Sequence, residues 1–242
     1  MGDMHRFFAL PESFRDERVL LDSSETRHLR DVLRLNEGDN VVVFDGCGGE
    51  YSCTVAEIKK NETELLLICK QEPSSPESQL ELTLAAAMIK GEKFDLVVQK
   101  AVELGVRKLI PLRTKRTDIK SKDSAKRIER WRKIAMEASK QCGRAYLMTV
   151  TDPLDFEMLI SSDDVSGTFI FTEREGDKMP DSLTDSKITM VVGPEGGWDE
   201  VELAAARSAG AALITLGGRT LRAETAAISI AAIVQNKFGD MN

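Results

Sequence analysis

Residues 187–226 read KITMVVGPEGGWDEVELAAARSAGAALITLGGRTLRAETA. Lys187 to Val192 opens this stretch as a nearly continuous apolar run, the pattern of a strand covered on both faces. Gly193-Pro194-Glu195-Gly196-Gly197 breaks the run, and a helix begins near Asp199 and extends over Glu200 to Ala209. AALITL, residues 211–216, repeats the buried strand. Leu216 to Thr225 forms a second loop, and Glu224 to Phe238 reads as an alanine-rich helix. Strand, loop and helix, twice over, predict parallel strands joined by crossover helices. In open sheets of this kind both loops stand beyond the carboxyl ends of strands, where ligands bind.

The alternation continues upstream. LTLAAAMI (82–89), RKLIPL (107–112) and GTFIFT (167–172) read as further strands, with Glu92 to Leu104 and Asp123 to Gln141 as amphipathic helices. In the second of these helices Ile128, Trp131, Ile134, Ala135 and Ala138 share one apolar stripe, so Trp131 is assigned to the core while Lys126, Arg127, Arg130 and Lys133 point mostly outward. The proline- and serine-rich QEPSSPESQ (71–79) marks a boundary. Before it, VVVFD and YSCTVAEI flank GCGGE as a hairpin, TELLLICK adds a strand, and Ser24 to Leu35 reads as a short helix with Leu29, Val32 and Leu33 on one face. The expected organisation is a small β-rich domain over 1–72 and an α/β domain with a mostly parallel sheet over 73–242.

The 242-residue chain is 42% hydrophobic and 30% charged, which excludes extended disorder. No run approaches the ~20 apolar residues of a membrane span, and MGDMHRFFALPESF lacks the features of a signal peptide, so a cytoplasmic location is expected. Cys47, Cys53, Cys69 and Cys142 form no C-x-x-C pair and are expected as free thiols. With only His5 and His28 present, neither a metal site nor a Ser-His-Asp hydrolase is expected. The net charge of -7 conceals a segregation: -6 over 1–75, +8 over 76–150 and -9 over 151–242. Residues 113–133, RTKRTDIKSKDSAKRIERWRK, hold ten basic side chains against three acidic ones, a footprint for phosphate backbones; a solvated helix face is the alternative.

Three glycine loops are candidates for chemistry. DGCGG is followed by a strand pattern, not a helix, and so fails as a dinucleotide fingerprint. GPEGG lacks the Lys-Ser/Thr pair of a phosphate loop, and Glu195 would repel a polyphosphate, so a ligand without phosphate suits it. In LGGRTLRAET, a structural reading has Thr220 or Thr225 cap the helix and Arg222 pair with Glu224. Two such loops on one sheet edge favour a binding site.

GPEGG and LGGRTLRAETA, in this order and separated by one helix and one strand, resemble the bacterial 16S ribosomal RNA uridine-N3 methyltransferase family of the SPOUT superfamily. MHRFF, RHLRDVLRL, VVVFDG, KGEKFDLVVQKAVELGV and QCGR (141–144) are similar to further motifs of that family in their expected order. The departures are Gly218, where the family often has proline, and Trp198, where it usually has a smaller apolar residue. The resemblance implies a PUA-like β-barrel followed by a parallel sheet with helices on both faces, knotted as a trefoil. It implies S-adenosyl-L-methionine as cofactor, 16S ribosomal RNA of the 30S subunit as partner, and a homodimer. The last helix, apolar on more than one face, independently suggests a second subunit.

Carried over by position, the cofactor loops are Thr172 and Glu173, Gly193, Glu195, Gly196 and Gly197, and Leu216, Gly217, Arg219, Thr220 and Leu221. A sulfonium cation suits a glycine-lined pocket with Glu195 nearby. Arg222, then Arg219, are the expected catalytic residues, placed to stabilise negative charge on the uracil oxygens. Salt bridges to Glu195 or Glu224 are their structural alternative. Arg6, Arg34, Arg113, Lys115, Arg116, Lys126 and Arg130 are the expected RNA contacts, and His28 is read as a packing residue. Rival readings are an RNA-binding module without catalysis, and another SPOUT methyltransferase acting on a ribose 2'-hydroxyl or a transfer RNA base. MHRFF and QCGR favour the uridine-N3 family.

Overall fold

The computed structural model describes residues 4–117, 124–161, 165 and 167–241. Two compact units emerge: one holds the chain up to Glu77 together with Ser139–Leu147, the other Ser78–Ala138 and the chain from Met148 onward. The division therefore falls past the expected boundary at 72/73, and a piece of chain from the middle of the sequence belongs to the first unit.

In the first unit, β1 (Arg6–Phe8), β2 (Phe14–Arg15), β3 (Arg18–Leu21), β4 (Asn40–Phe44), β5 (Glu50–Ile58) and β6 (Thr63–Gln71) form one sheet in the order β1-β4-β5-β6-β3-β2. All pairings are antiparallel except β1 with β4. The predicted hairpin is β4–β5, and Asp45 shapes its turn by accepting from the amides of Cys47 (2.7 Å) and Gly49 (2.8 Å). Phe7, Leu21, Leu29, Val41, Val43, Val55 and Leu65 make the core of this half-barrel.

The expected helix over 24–35 needs correction. It is a short α1 (Ser23–Arg27), capped by Asp22, that widens into a π-helical turn over His28–Val32. The extra residue in that turn rotates Val32 off the buried face, leaving it 66% exposed while Leu29 stays in the core.

The segment 139–147 is held in this unit by buried charge. Arg144 donates to both oxygens of Glu77 (2.8 and 2.7 Å), and Lys140 pairs with Glu25. Arg6 pairs with the fully buried Glu50 at 2.5 Å, donates to the Arg144 carbonyl and lies over the Phe44 ring.

The second unit carries β7 (Glu81–Ala87), α2 (Lys93–Glu103), β8 (Lys108–Arg113), most of α3 (Ser124–Cys142), β9 (Thr149–Val150), β10 (Leu154–Asp155) and α4 (Phe156–Ile160). After these come β11 (Thr168–Phe171), β12 (Lys187–Val192), α5 (Glu200–Ser208), β13 (Ala212–Ile214) and α6 (Ala223–Phe238). The strands are all parallel, in the order β10-β8-β7-β12-β11-β13 with β9 beside β8. The start expected for α3, Asp123, lies outside the described residues. Phe156, Ile160 and Ala206 cover Ala85, Ile110, Leu112, Ile170, Val191 and Leu213 of the sheet. Helices α2 and α6 pack on each other, and α6 also lies against β7 and β12.

The last strand is shorter than AALITL suggested and is enclosed on both flanks. Phe169–Phe171 pair with it on one side. On the other, the amide of Asp177 donates to the Leu213 carbonyl (2.9 Å) and that of Thr215 to the Asp177 carbonyl (3.0 Å). Gly176 permits this approach: a Cβ there would stand 2.8 Å from the Ile214 carbonyl carbon. Both flanking segments belong to β11 and the connection that leads from it to β12.

Candidate cofactor site

The loops that leave β11, β12 and β13 converge on a cavity of about 450 Å³. Thr172 and Glu173 come from the first loop, Gly193, Pro194, Glu195, Gly197 and Trp198 from the second, and Leu216 through Arg222 from the third. Phe171, Val192, Ala226 and Ile230 supply apolar wall, and Lys93 enters from the first turn of α2. Thr172 Oγ1 lies 3.1 Å from Thr215 Oγ1, tying the first loop to the third. Trp198 Nε1 donates to the Phe171 carbonyl (2.9 Å), and its ring packs on Phe156 with centroids 4.9 Å apart. The bulk of Trp198 is thus absorbed by the space beside Gly193, where a Cβ would meet the indole at 2.8 Å.

Of the expected cofactor residues, Gly196 alone does not line the cavity. Its carbonyl accepts from Arg116 (3.0 Å) and its Cα faces the Arg116 stem, because the turn directs Glu195 and Gly197 to the cavity and Gly196 away from it.

Charge around the cavity is arranged differently from the structural alternative read in the sequence. Lys93 pairs with Glu195 and lies 3.9 Å from Glu224, so the two carboxylates share an ammonium. One oxygen of Glu224, Oε2, is buried without a hydrogen-bond partner among the described residues. Arg219 and Arg222 are exposed at the rim, and among the described residues neither side chain has an ion-pair or hydrogen-bond partner. Lys93 is a site residue that the spacing of the sequence could not reveal. Its one signal is its place in KGEKFD, and only the crossover of α2 over the sheet brings it to loops about 80 residues and more away.

The expected RNA contacts divide. Arg34 and Lys126 are exposed, with no side-chain partner among the described residues. Arg6 is corrected to an internal strut: it is only 11% exposed and is bound to Glu50, Ser74 and the Arg144 carbonyl. Arg113 is paired with Asp155 at 2.6 Å, which holds that carboxyl below the usual carboxylate range. Arg130 is paired with Asp95, whose other oxygen accepts from Trp131 Nε1. Trp131 is buried against Phe94, as the stripe predicts. Lys115 and Arg116 reach Asp199, the N-cap of α5. The Val201 amide, then Lys115 and Arg116, hold the Asp199 carboxyl below its ordinary range. His28 packs edge-on to Phe7. Residues 118–123 of the basic stretch lie outside the described residues.

Residues 76–235 match the model of an RNA methyltransferase domain, and residues 21–68 that of an RNA methyltransferase PUA domain. The chain is 32% identical to ribosomal RNA small subunit methyltransferase E of Synechocystis sp., over 92% of this chain and 74% of that protein. It is 34% identical to the same enzyme of Rickettsia conorii, over 89% and 88%. This chain belongs to the ribosomal RNA small subunit methyltransferase E family. A family member from Neisseria gonorrhoeae, solved bound to S-adenosyl methionine, superposes with a TM-score of 0.90 at 32% identity, covering 99% of this chain and all of that one. A methyltransferase from Legionella pneumophila, solved with bound cofactor, gives 0.89 at 28% identity over 98% and 99%.

The cavity of this family member suits such a cofactor on its own terms. Its volume lies within the range of small-molecule sites. Its walls combine apolar side chains with glycine backbone, and two carboxylates line it, Glu173 and the Glu195 that is paired with Lys93. Among the described residues no cluster of three His, Cys, Asp or Glu side chains is placed to hold a metal ion, and no helix is long and apolar enough to cross a membrane.

Proposed function

We propose that this protein transfers a methyl group from S-adenosylmethionine to N3 of a uridine in 16S ribosomal RNA of the small subunit, in the cytoplasm and as a homodimer. The observation that carries the reading is the cavity formed by three loops at neighbouring strand ends, with two guanidinium groups at its rim that have no partner among the described residues. The relatives named ribosomal RNA small subunit methyltransferase E, one of them solved with bound S-adenosyl methionine, support methyl transfer to small-subunit ribosomal RNA.

When bound, S-adenosylmethionine supplies a methyl group activated by its sulfonium. Thr172, Glu173, Gly193, Glu195, Gly197 and Leu216 to Leu221, which line the cavity, would hold it. Lys93 keeps Glu195 at the mouth of the cavity. Uridine N3 gives up its proton to solvent ahead of the transfer, and the resulting negative charge spreads to O2 and O4, where Arg222 and Arg219, always protonated and without side-chain partners among the described residues, would stabilise it. That charge is cancelled when N3 accepts the methyl group, the bound donor being left as a neutral thioether. Holding the two reactants side by side contributes through proximity.

Of the expected RNA contacts, Arg34 and Lys126, exposed and without side-chain partners among the described residues, are the ones through which RNA phosphate is engaged. The enclosure of β13 between β11 and the Asp177 segment supports a trefoil-knotted course for the chain end. RNA docking is assigned to the first compact unit, expected over 1–72, and methyl transfer to the second, expected over 73–242. For the dimer, much of α6 is already covered, but Ile233 remains 41% exposed beside half-buried Ile228 and Ala232, an apolar strip that a second copy would cover.

The test is methyl transfer from labelled S-adenosylmethionine to small subunits lacking the modification, followed by digestion to nucleosides. Label is expected in 3-methyluridine. Label in a 2'-O-methyl nucleoside, in transfer RNA, or in no nucleoside refutes the assignment.

A further inference from the structure

The turn that follows β8 is built to be rigid. The Thr117 amide donates to the Thr114 carbonyl (3.0 Å), and the Thr114 amide donates to Thr117 Oγ1 (3.1 Å). Between these threonines, Lys115 and Arg116 are turned toward the GPEGG loop and the start of α5. The Lys115 amide donates to Glu202 Oε1 (2.9 Å), whose other oxygen accepts from the Asp199 amide (3.2 Å). Lys115 Nζ lies 3.3 Å from Asp199. Arg116 donates to the Gly196 carbonyl at 3.0 Å, and a Cβ at Gly196 would stand 3.5 Å from Arg116 Cβ. The residues on either side of Gly196, Glu195 and Gly197, line the cavity. One end of the loop is braced by Trp198 against the Phe171 carbonyl, and its outer surface by Arg116.

We infer that Arg116 is a positioning residue for the cofactor loop and not a docking point for RNA phosphate. It fixes the Gly196 carbonyl from outside and thereby the orientation of Glu195 and Gly197 on the inside. A guanidinium that donates to a backbone carbonyl, and whose stem packs on a glycine, holds loop geometry through a charge-assisted bond, stronger than one between neutral groups. A phosphate would have to draw it away from both that carbonyl and the Asp199 carboxylate. The inference rests on the cavity being the S-adenosylmethionine site.

The experiment compares the parent protein with Arg116→Ala and Arg116→Lys in three measurements: calorimetric titration with S-adenosylmethionine, steady-state methyl transfer, and the salt dependence of binding to small-subunit RNA. Arg116→Ala is expected to raise the cofactor Kd and KM about tenfold, equivalent to ~1.4 kcal/mol, with kcat at saturation near the parent value. Arg116→Lys is expected to recover part of the loss, since it restores one donor without the fork. The slope of log affinity against log salt is expected to stay at the parent value, and thermal melts report whether each variant is folded. Parent-like cofactor affinity in Arg116→Ala overturns the inference, as does a fall of about one in the salt slope, which marks a lost phosphate contact. Failure of the parent protein itself to bind S-adenosylmethionine refutes the proposed function, a result separate from any difference between variants.

Discussion

Replacing Arg222 by Ala separates a catalytic guanidinium from a structural one, because the structure sets the two expectations far apart. Arg222 stands at the N-cap of α6 with extended backbone (φ -63°, ψ 151°) and contributes no side-chain capping bond. Its guanidinium is exposed and has no partner among the described residues; Glu224, the expected partner, lies instead 3.9 Å from Lys93. Removing the side chain therefore costs no ion pair, cap or buried contact, and the stability change should stay within ~0.5 kcal/mol. For a chain of this size that is a shift in melting temperature of about 1–2 °C. Loss of one preorganised donor to charge developing on the uracil costs about 3 kcal/mol, or roughly a hundredfold in the rate of methyl transfer. Arg219→Ala should follow the same pattern with a smaller loss. The assay is single-turnover transfer to small subunits at saturating S-adenosylmethionine, run beside melting curves. Rates within a fewfold of the parent for both variants would remove both arginines from the chemistry. A melting temperature lowered by many degrees with turnover intact would show that Arg222 holds a contact absent from this structure.

Ala226 lies on the cavity wall in a helical position, so Ala226→Phe should occupy the cofactor's space and abolish measurable binding by titration while the melting curve stays close to that of the parent. Gly176→Ala places a methyl 2.8 Å from the Ile214 carbonyl carbon and 2.9 Å from the Leu213 oxygen, both backbone. The expected cost is about 1–3 kcal/mol, visible as a melting temperature lowered by several degrees. Burial, with a smaller contribution from Cys69, pushes the Cys53 thiol up to about 12, so at pH 8 mass spectrometry after maleimide treatment should show label on exposed Cys47 and none on Cys53 until the protein unfolds. Because the fold favours the protonated thiol, its contribution to stability is full below about pH 9 and declines as pH rises toward 12; a Cys53→Ala variant should lose stability less steeply over that range.

The strand Lys187–Val192 was legible residue for residue because a buried parallel strand leaves a nearly continuous apolar run, bounded here by Ser186 and Gly193. The loops around the cavity were legible for a related reason, since strand-end glycines have few other uses. Short elements paired at sheet margins were not. Phe14–Arg15, Thr149–Val150 and Leu154–Asp155 are two residues each, too short for any period to register. Charge was the least transparent property. A count of cations over 113–133 treats Arg113, Arg116 and Arg130 alike, whereas Asp155, Gly196 and Asp95 already engage them. Arg6 looked like a surface cation beside two phenylalanines, and nothing local predicts that its partner is Glu50 on a strand 44 residues on.

The return of residues 139–147 to the first unit has a consequence for how the protein is made. During synthesis the first 77 residues leave the ribosome while Lys140 and Arg144, the partners of Glu25 and Glu77, are still untranslated. The intervening stretch of about 60 residues takes roughly 3–12 s to emerge at 5–20 residues per second. Over that interval the nascent half-barrel holds two carboxylates that cannot be buried without their cations, and Arg6, the partner of Glu50, lacks the Arg144 carbonyl to which it also donates. The N-terminal unit, first to appear, is thus completed only when the second is half made, so the order of maturation does not follow the order of the chain.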